Sequence, residues 1–129
     1  MIASRVVSPL ISAGRLKVNF RFPYPTGNHT DGACNWLSPE KHESKMSQVS
    51  QTGIFIKREL DSTEYFAGIC WAGKAKMTEK QPHWFELSGE GNSIEFSCQF
   101  TPEEPKKNLP GFELTRKNNA AKWSYFWNR

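Results

Sequence analysis

Residues 15–22 read Arg-Leu-Lys-Val-Asn-Phe-Arg-Phe, and their alternation decides the fold class. Leu16, Val18, Phe20 and Phe22 fall on one face of an extended chain, with Arg15, Lys17, Asn19 and Arg21 on the other, which is the period-two pattern of a half-buried strand. Pro23 and Pro25 close the segment, because proline gives no N–H to a ladder and restricts the residue before it. Turn-forming residues follow from Thr26 through Gly27, Asn28, Asp31 and Gly32, and predict a loop over 26–32.

The same alternation recurs at Ser93 to Phe100, where Ile94, Phe96, Cys98 and Phe100 alternate with Glu95, Ser97 and Gln99. With His83 to Leu87 on the far side of a Ser-Gly-Glu-Gly-Asn turn, it reads as a hairpin. Gly53 to Leu60 and Glu64 to Ala72 form another, joined through Asp61-Ser62-Thr63. Lys74 to Met77 reads as an extension of that second strand past Gly73, a glycine that marks a bulge or bend. Met1 to Gly14 reads as a strand or arm; with Arg5 and Pro9 in it and no compact apolar run, it lacks the pattern of a secretory leader.

Two segments point away from strand. Ser38-Pro39-Glu40 has the chemistry of a helix start, with Ser as cap, Pro at the first position and an acid in the first turn, and predicts a helix to about Gln51. Its apolar face is thin, only Met46 and Val49 after Leu37. Residues 101–111 carry Pro102, Pro105 and Pro110 among charges and predict a surface connection. Beyond it, 112–114 and 122–127 read as a last hairpin around 116–119, with a helix from Asn119 as the competing reading because Trp123, Phe126 and Trp127 also satisfy helical spacing.

Short strands without alternating long helices predict a mostly β fold, an antiparallel β-sandwich or barrel, or an α+β variant with one short helix. The chain has 129 residues, the size of one domain, so a single β-rich domain over 1–129 is expected. Leu16, Val18, Phe20, Phe22, Ile94, Phe96 and Cys98 are its expected core. Apolar residues make up only 37%, but five Trp and nine Phe supply large side chains to fill that core. No run approaches the roughly 18 apolar residues that a membrane-spanning helix needs, so no membrane partner is expected.

Charge is distributed unevenly. Residues 1–105 hold 11 Lys or Arg against 12 Asp or Glu, whereas 106–129 hold 6 against 1, so the formal net charge of +4 comes wholly from the C-terminal end. Such asymmetry points to an anionic partner. There the chain runs Arg-Lys-Asn-Asn-Ala-Ala-Lys-Trp-Ser-Tyr-Phe-Trp-Asn-Arg, cations interleaved with four rings, as in proteins that hold single-stranded nucleic acid by phosphate contacts and base stacking. The candidate binding residues are therefore Arg116, Lys117, Lys122, Trp123, Tyr125 and Trp127, with Arg15, Lys17 and Arg21 on the polar face of the first strand if the C-terminal hairpin pairs beside it. In the plainer alternatives, Trp123, Tyr125 and Trp127 are core residues of a closing strand, and the first strand's cations face water at a sheet edge.

Catalytic signals are weak. His29, His42 and His83 show no metal-ligand spacing, and Cys34, Cys70 and Cys98 are odd in number without a Cys-x-x-Cys pair, so neither a metal, a cofactor nor a disulfide framework is expected. Free thiols suit a reducing, cytoplasmic compartment. Cys34, the one cysteine in a loop, is a weak nucleophile candidate, and His42 reads as part of a solvated helix face. His29, His83, Glu86, Arg15, Lys17 and Arg21 contain the residue types of a metal-independent ribonuclease, which needs an acid, a base and a phosphate-stabilising cation. The expectation is a non-enzymatic binding module for an anionic partner, nucleic acid first. A protein-protein or inhibitor module and a ribonuclease-type hydrolase are the alternatives.

Overall fold

A computed structural model describes residues 1–30 and 32–128; Asp31 of the expected loop and Arg129 of the basic terminus lie outside the described residues. Strands occupy 50% of the chain and helix 18%, which places it in the mostly β class expected from alternation.

Among the described residues, ten strands are arranged in three antiparallel sheets. They are β1 (Ile2–Val7), β2 (Val18–Arg21), β3 (Tyr24–Pro25), β4 (Cys34–Asn35), β5 (His42–Ser50), β6 (Gly53–Leu60), β7 (Thr63–Ala72), β8 (Ala75–Gln81), β9 (Trp84–Gly89) and β10 (Ser93–Thr101). The large sheet has the order β1-β10-β7-β6-β5, the second β2-β9-β8, and β3 pairs with β4 as a small ribbon. A short helix α1 (Pro9–Ser12) follows β1, and a long helix α2 (Phe112–Trp127) ends the chain.

One core lies between the two larger sheets. Ile54, Ile56, Ala67, Ile69 and Trp71 from β6 and β7 meet Phe85 and Leu87 from β9 and Met77 from β8, with Ile94 and Cys98 of β10 and Ile11 of α1 completing it. The expected inward faces are correct: Ile94 and Cys98 are buried, and Leu16, Val18, Phe20, Phe22 and Phe96 pack against the cluster at its margins. Phe20 and Phe96 meet edge to face, 5.5 Å between centroids, so the two best alternating segments touch across the sandwich.

Four sequence expectations need correction. The proposed helix over 38–51 is a 3-10 turn at Pro39–Lys41 followed by β5. The Ser-Pro-Glu start does turn the chain, but His42, Ser44 and Met46 then alternate inward opposite Leu60, Arg58 and Ile56, and cross-strand pairing outweighs the weak helical face. Residues 84–89 and 93–101 do not pair with each other: β9 joins β2 and β8, while β10 joins β1 and β7, so residues 90–92 carry the chain between sheets. Gly73, at φ +79°, is likewise a crossing point, and β8 lies in the second sheet. The C-terminal hairpin is absent, because 112–127 is continuous helix, with Ala120, Ala121, Leu114, Lys and Arg supplying the helix-favouring residues. The hairpin of β6 and β7 forms as expected, with Asp61 at φ +51° in its turn.

The proline-rich connection is a strap across the outer face of the large sheet. Ser97 Oγ donates to the Pro110 carbonyl at 2.7 Å, the Cys70 thiol to the Leu109 carbonyl at 3.4 Å, and Ser50 Oγ to Asn108 Oδ1 at 2.9 Å. Gly68 makes room for it: a Cβ there would stand 3.2 Å from the Pro105 ring.

Candidate functional site

The strap delivers the chain to α2, whose first turn is fixed and whose remainder projects. Gly111 offers no side-chain cap, and Glu95 Oε1 takes that role by accepting from Phe112 N–H at 3.1 Å. Arg5 bridges Glu95 and Glu113, at 2.8 and 2.6 Å, and its guanidinium lies 4.6 Å from the Phe112 ring centroid. Glu113 is held below the usual carboxylate range by hydrogen bonds from Arg5 and then Arg116. Phe112 and Thr115 are half-buried; every described residue from Arg116 onward is exposed.

The core-strand alternative for the terminal rings is therefore overturned. Trp123, Tyr125 and Trp127 are 53%, 67% and 72% exposed. Trp123, Phe126 and Trp127 pack on one another instead, with the two indoles 6.2 Å apart and 15° from parallel. At 100° per residue Arg116, Trp123 and Trp127 share one helix face, Lys117 and Lys122 flank it, and Tyr125 points the other way. Arg116 is paired with Glu113 at 3.1 Å.

The first strand's cations do not join this surface. The packing of α2 is against β1 and β10, at one edge of the large sheet, whereas β2 pairs with β9 in the other sheet. Lys17 is bound to Glu86 at 2.9 Å, Arg15 is exposed, and Arg21 is drawn elsewhere.

Arg21 enters a second candidate site, which the sequence reading missed apart from Arg21 and His83. Its guanidinium carbon lies 4.8 Å from the Trp36 ring and 5.0 Å from the Trp84 ring. Both indoles border a pocket of about 130 Å³, with His42, His83, Asn35 and Gln81 among the other walls. Here β5 and the β8–β9 turn meet. His83 sits in that two-residue turn at φ +63°, a conformation few non-glycine residues adopt, and its ring stacks on His42 with centroids 3.7 Å apart and planes 20° from parallel. The solvated-helix-face reading of His42 is thus corrected: it faces inward from a strand.

Behind the stacked rings is Arg58, wholly buried. Nη2 donates to His42 Nδ1 at 2.6 Å, and Nη1 to His83 Nδ1 at 3.2 Å, to the Glu43 carbonyl at 3.1 Å and to the Ser44 hydroxyl. Ser44 in turn lies 2.6 Å from His83 Nδ1, and the Phe22 ring covers the guanidinium at 5.0 Å. No carboxylate forms an ion pair with Arg58 among the described residues. Since each Nδ1 accepts, each imidazole carries its proton on Nε2; that of His83 donates to the Pro39 carbonyl at 2.9 Å. Burial, then the fields of His83 and Arg58, push His42 down to about 4, with Glu40 opposing. At neutral pH His42 is a neutral hydrogen-bond donor.

Of the ribonuclease set, Arg21 and His83 come together, while Lys17 and Glu86 pair with each other and His29 stands on an exposed loop. Two imidazoles stacked face to face present one side to a ligand, not the opposed sides an acid and a base take around a phosphate. Burial raises both Cys70 and Cys98, the latter to about 11, which suits packed thiols rather than nucleophiles; Cys34 is exposed, and all three are free. No helix among the described residues is long and apolar enough to cross a membrane. Compared with protein-family models, curated proteins and solved structures, the chain matches none.

Proposed function

We propose that the protein is a binding module for an anionic partner, single-stranded nucleic acid first, with α2 as the contacting element. The observation that carries this reading is the exposure of Trp123 and Trp127 on a helix anchored through its first turn, on the same helix as the exposed Arg116, Lys117 and Lys122. Exposed rings are free to stack on bases, and the cations to follow phosphates. Buried, unpaired Cys70 and Cys98 fit work in a reducing, cytoplasmic compartment.

A protein partner is the second reading, favoured by the mutual packing of Trp123, Phe126 and Trp127 into an apolar cluster of the kind that anchors interfaces. Alanine at Trp123 or Trp127 separates role from fold. Both variants should keep the wild-type circular dichroism and lose about 1 to 3 kcal/mol of affinity for a single-stranded oligonucleotide. Unchanged oligonucleotide affinity would leave the protein-partner reading in its place.

A further inference from the structure

We infer that the pocket walled by Arg21, Trp36, His42 and Trp84 binds a phosphate group. It lies at the β5 edge of the large sheet, four strands from the β1 edge where α2 docks, and the inference stands independently of what α2 does.

The case starts from charge. Arg58 holds a full positive charge with no exposure, and its partners carry no negative charge: two imidazoles, the hydroxyls of Ser44 and Tyr65, a carbonyl and an aromatic face. A buried cation of this kind is costly unless an anion stands close by. Arg21 adds a second cation at the mouth, held between two indoles and without an ion pair among the described residues. Among the described residues no aspartate or glutamate lines the pocket; Glu40, in the neighbouring 3-10 turn, is an acid whose field reaches His42. The positive field is therefore directed into the cavity.

Donors are also in place. Arg58 occupies Nδ1 of His42, so the Nε2–H of that ring is available, and it has no hydrogen-bond partner among the described residues. The Arg21 guanidinium provides a planar fork suited to two phosphate oxygens. Asn35 and Gln81 stand on the same walls. A volume of about 130 Å³ is room enough for one phosphate group, and Trp36 and Trp84 on its walls offer faces to the rest of the molecule that carries it. Arg58 acts as a positioning residue: it fixes the His42 tautomer and provides the field, while His42 and Arg21 make the contacts.

The test is titration of the full chain, labelled with 15N and 13C, at constant ionic strength. Inorganic phosphate, phenyl phosphate, dimethyl phosphate, benzoate and chloride are added separately, following the His42 ring and the Trp36 and Trp84 indole N–H signals. Saturable shifts are expected with the phosphates and not with chloride. A monoester binding more tightly than the diester identifies a phosphorylated small molecule as the source, and the reverse order a nucleic-acid chain. Arg21→Gln, an exposed position, should keep the thermal midpoint and weaken phosphate by about tenfold or more. Equal shifts with chloride, no saturation, an unaffected Arg21→Gln variant, or benzoate outcompeting every phosphate would each overturn the assignment.

Discussion

His42 and His83 stack 3.7 Å apart with both Nδ1 atoms accepting from the one buried guanidinium of Arg58. Charging His42 would remove an acceptor from Arg58 and place two cations in contact.

Acid should therefore weaken the fold before its carboxylates titrate fully. His42 is pushed down from its ordinary 6.5 to about 4 in the folded protein. Between these values the unfolded chain binds the proton more readily, so this contribution is complete above about pH 6.5 and lost as pH falls toward about 4. Arg58 and His83 touch the ring, Tyr24 lies beside it with Lys41 over its own ring and its hydroxyl bonded to Asp61, and Glu40 favours the proton. The expected loss is about 1 to 2 kcal/mol once solvent screening is allowed for. Urea melts of wild type and His42→Gln across that range measure it. The variant, which can still accept from Arg58, should flatten the dependence, and parallel curves would remove His42 as its cause.

Arg58→Lys should cost about 2 to 4 kcal/mol although charge is conserved, because one ammonium cannot serve two imidazoles, a carbonyl and a hydroxyl in a planar fork. The melting midpoint and the His42 nitrogen shifts report stability and tautomer together. A variant as stable as wild type would mean that the fork is not what holds the cluster.

The strap should loosen when Gly68 is enlarged. Even a Cβ stands 3.2 Å from Pro105, so the side chain of Gly68→Val must push the strap outward. The Cys70 thiol, which donates to the Leu109 carbonyl, should then react with a thiol reagent about ten times faster or more in the folded state, an opening of about 1.4 kcal/mol or more. Cys34, exposed already, is replaced by Ser in both proteins to clear the background. An unchanged Cys70 rate would show that the strap does not guard that face.

What the sequence made legible, and what it hid, follows from how local each signal is. The faces of 15–22 and 93–100 were readable because period-two alternation of large apolar residues needs no partner to be recognised. Strand β5 was hidden because its inward residues include His42 and Ser44, so burial there is polar and hydrophobic pattern is silent. The His42–His83–Arg58 cluster joins residues 16, 25 and 41 positions apart through strand register and one turn, which no motif spacing encodes. Trp123, Phe126 and Trp127 did carry the helical signal, and the exposure that makes them candidates depends on α2 docking through its first turn, where Phe112 and Glu113 meet Arg5 and Glu95.

The most direct test of the central claim is the salt dependence of oligonucleotide binding by the intact chain. With Arg116, Lys117 and Lys122 each meeting a phosphate, log affinity for a single strand should fall with log salt concentration with a slope of about −2 from these three residues, at roughly 0.7 each. Neutralising all three should remove that share of the slope while circular dichroism stays unchanged. If wild-type protein binds no single-stranded RNA or DNA at low ionic strength, or binds with an affinity that salt and the triple substitution leave unmoved, α2 is not an anion-binding arm.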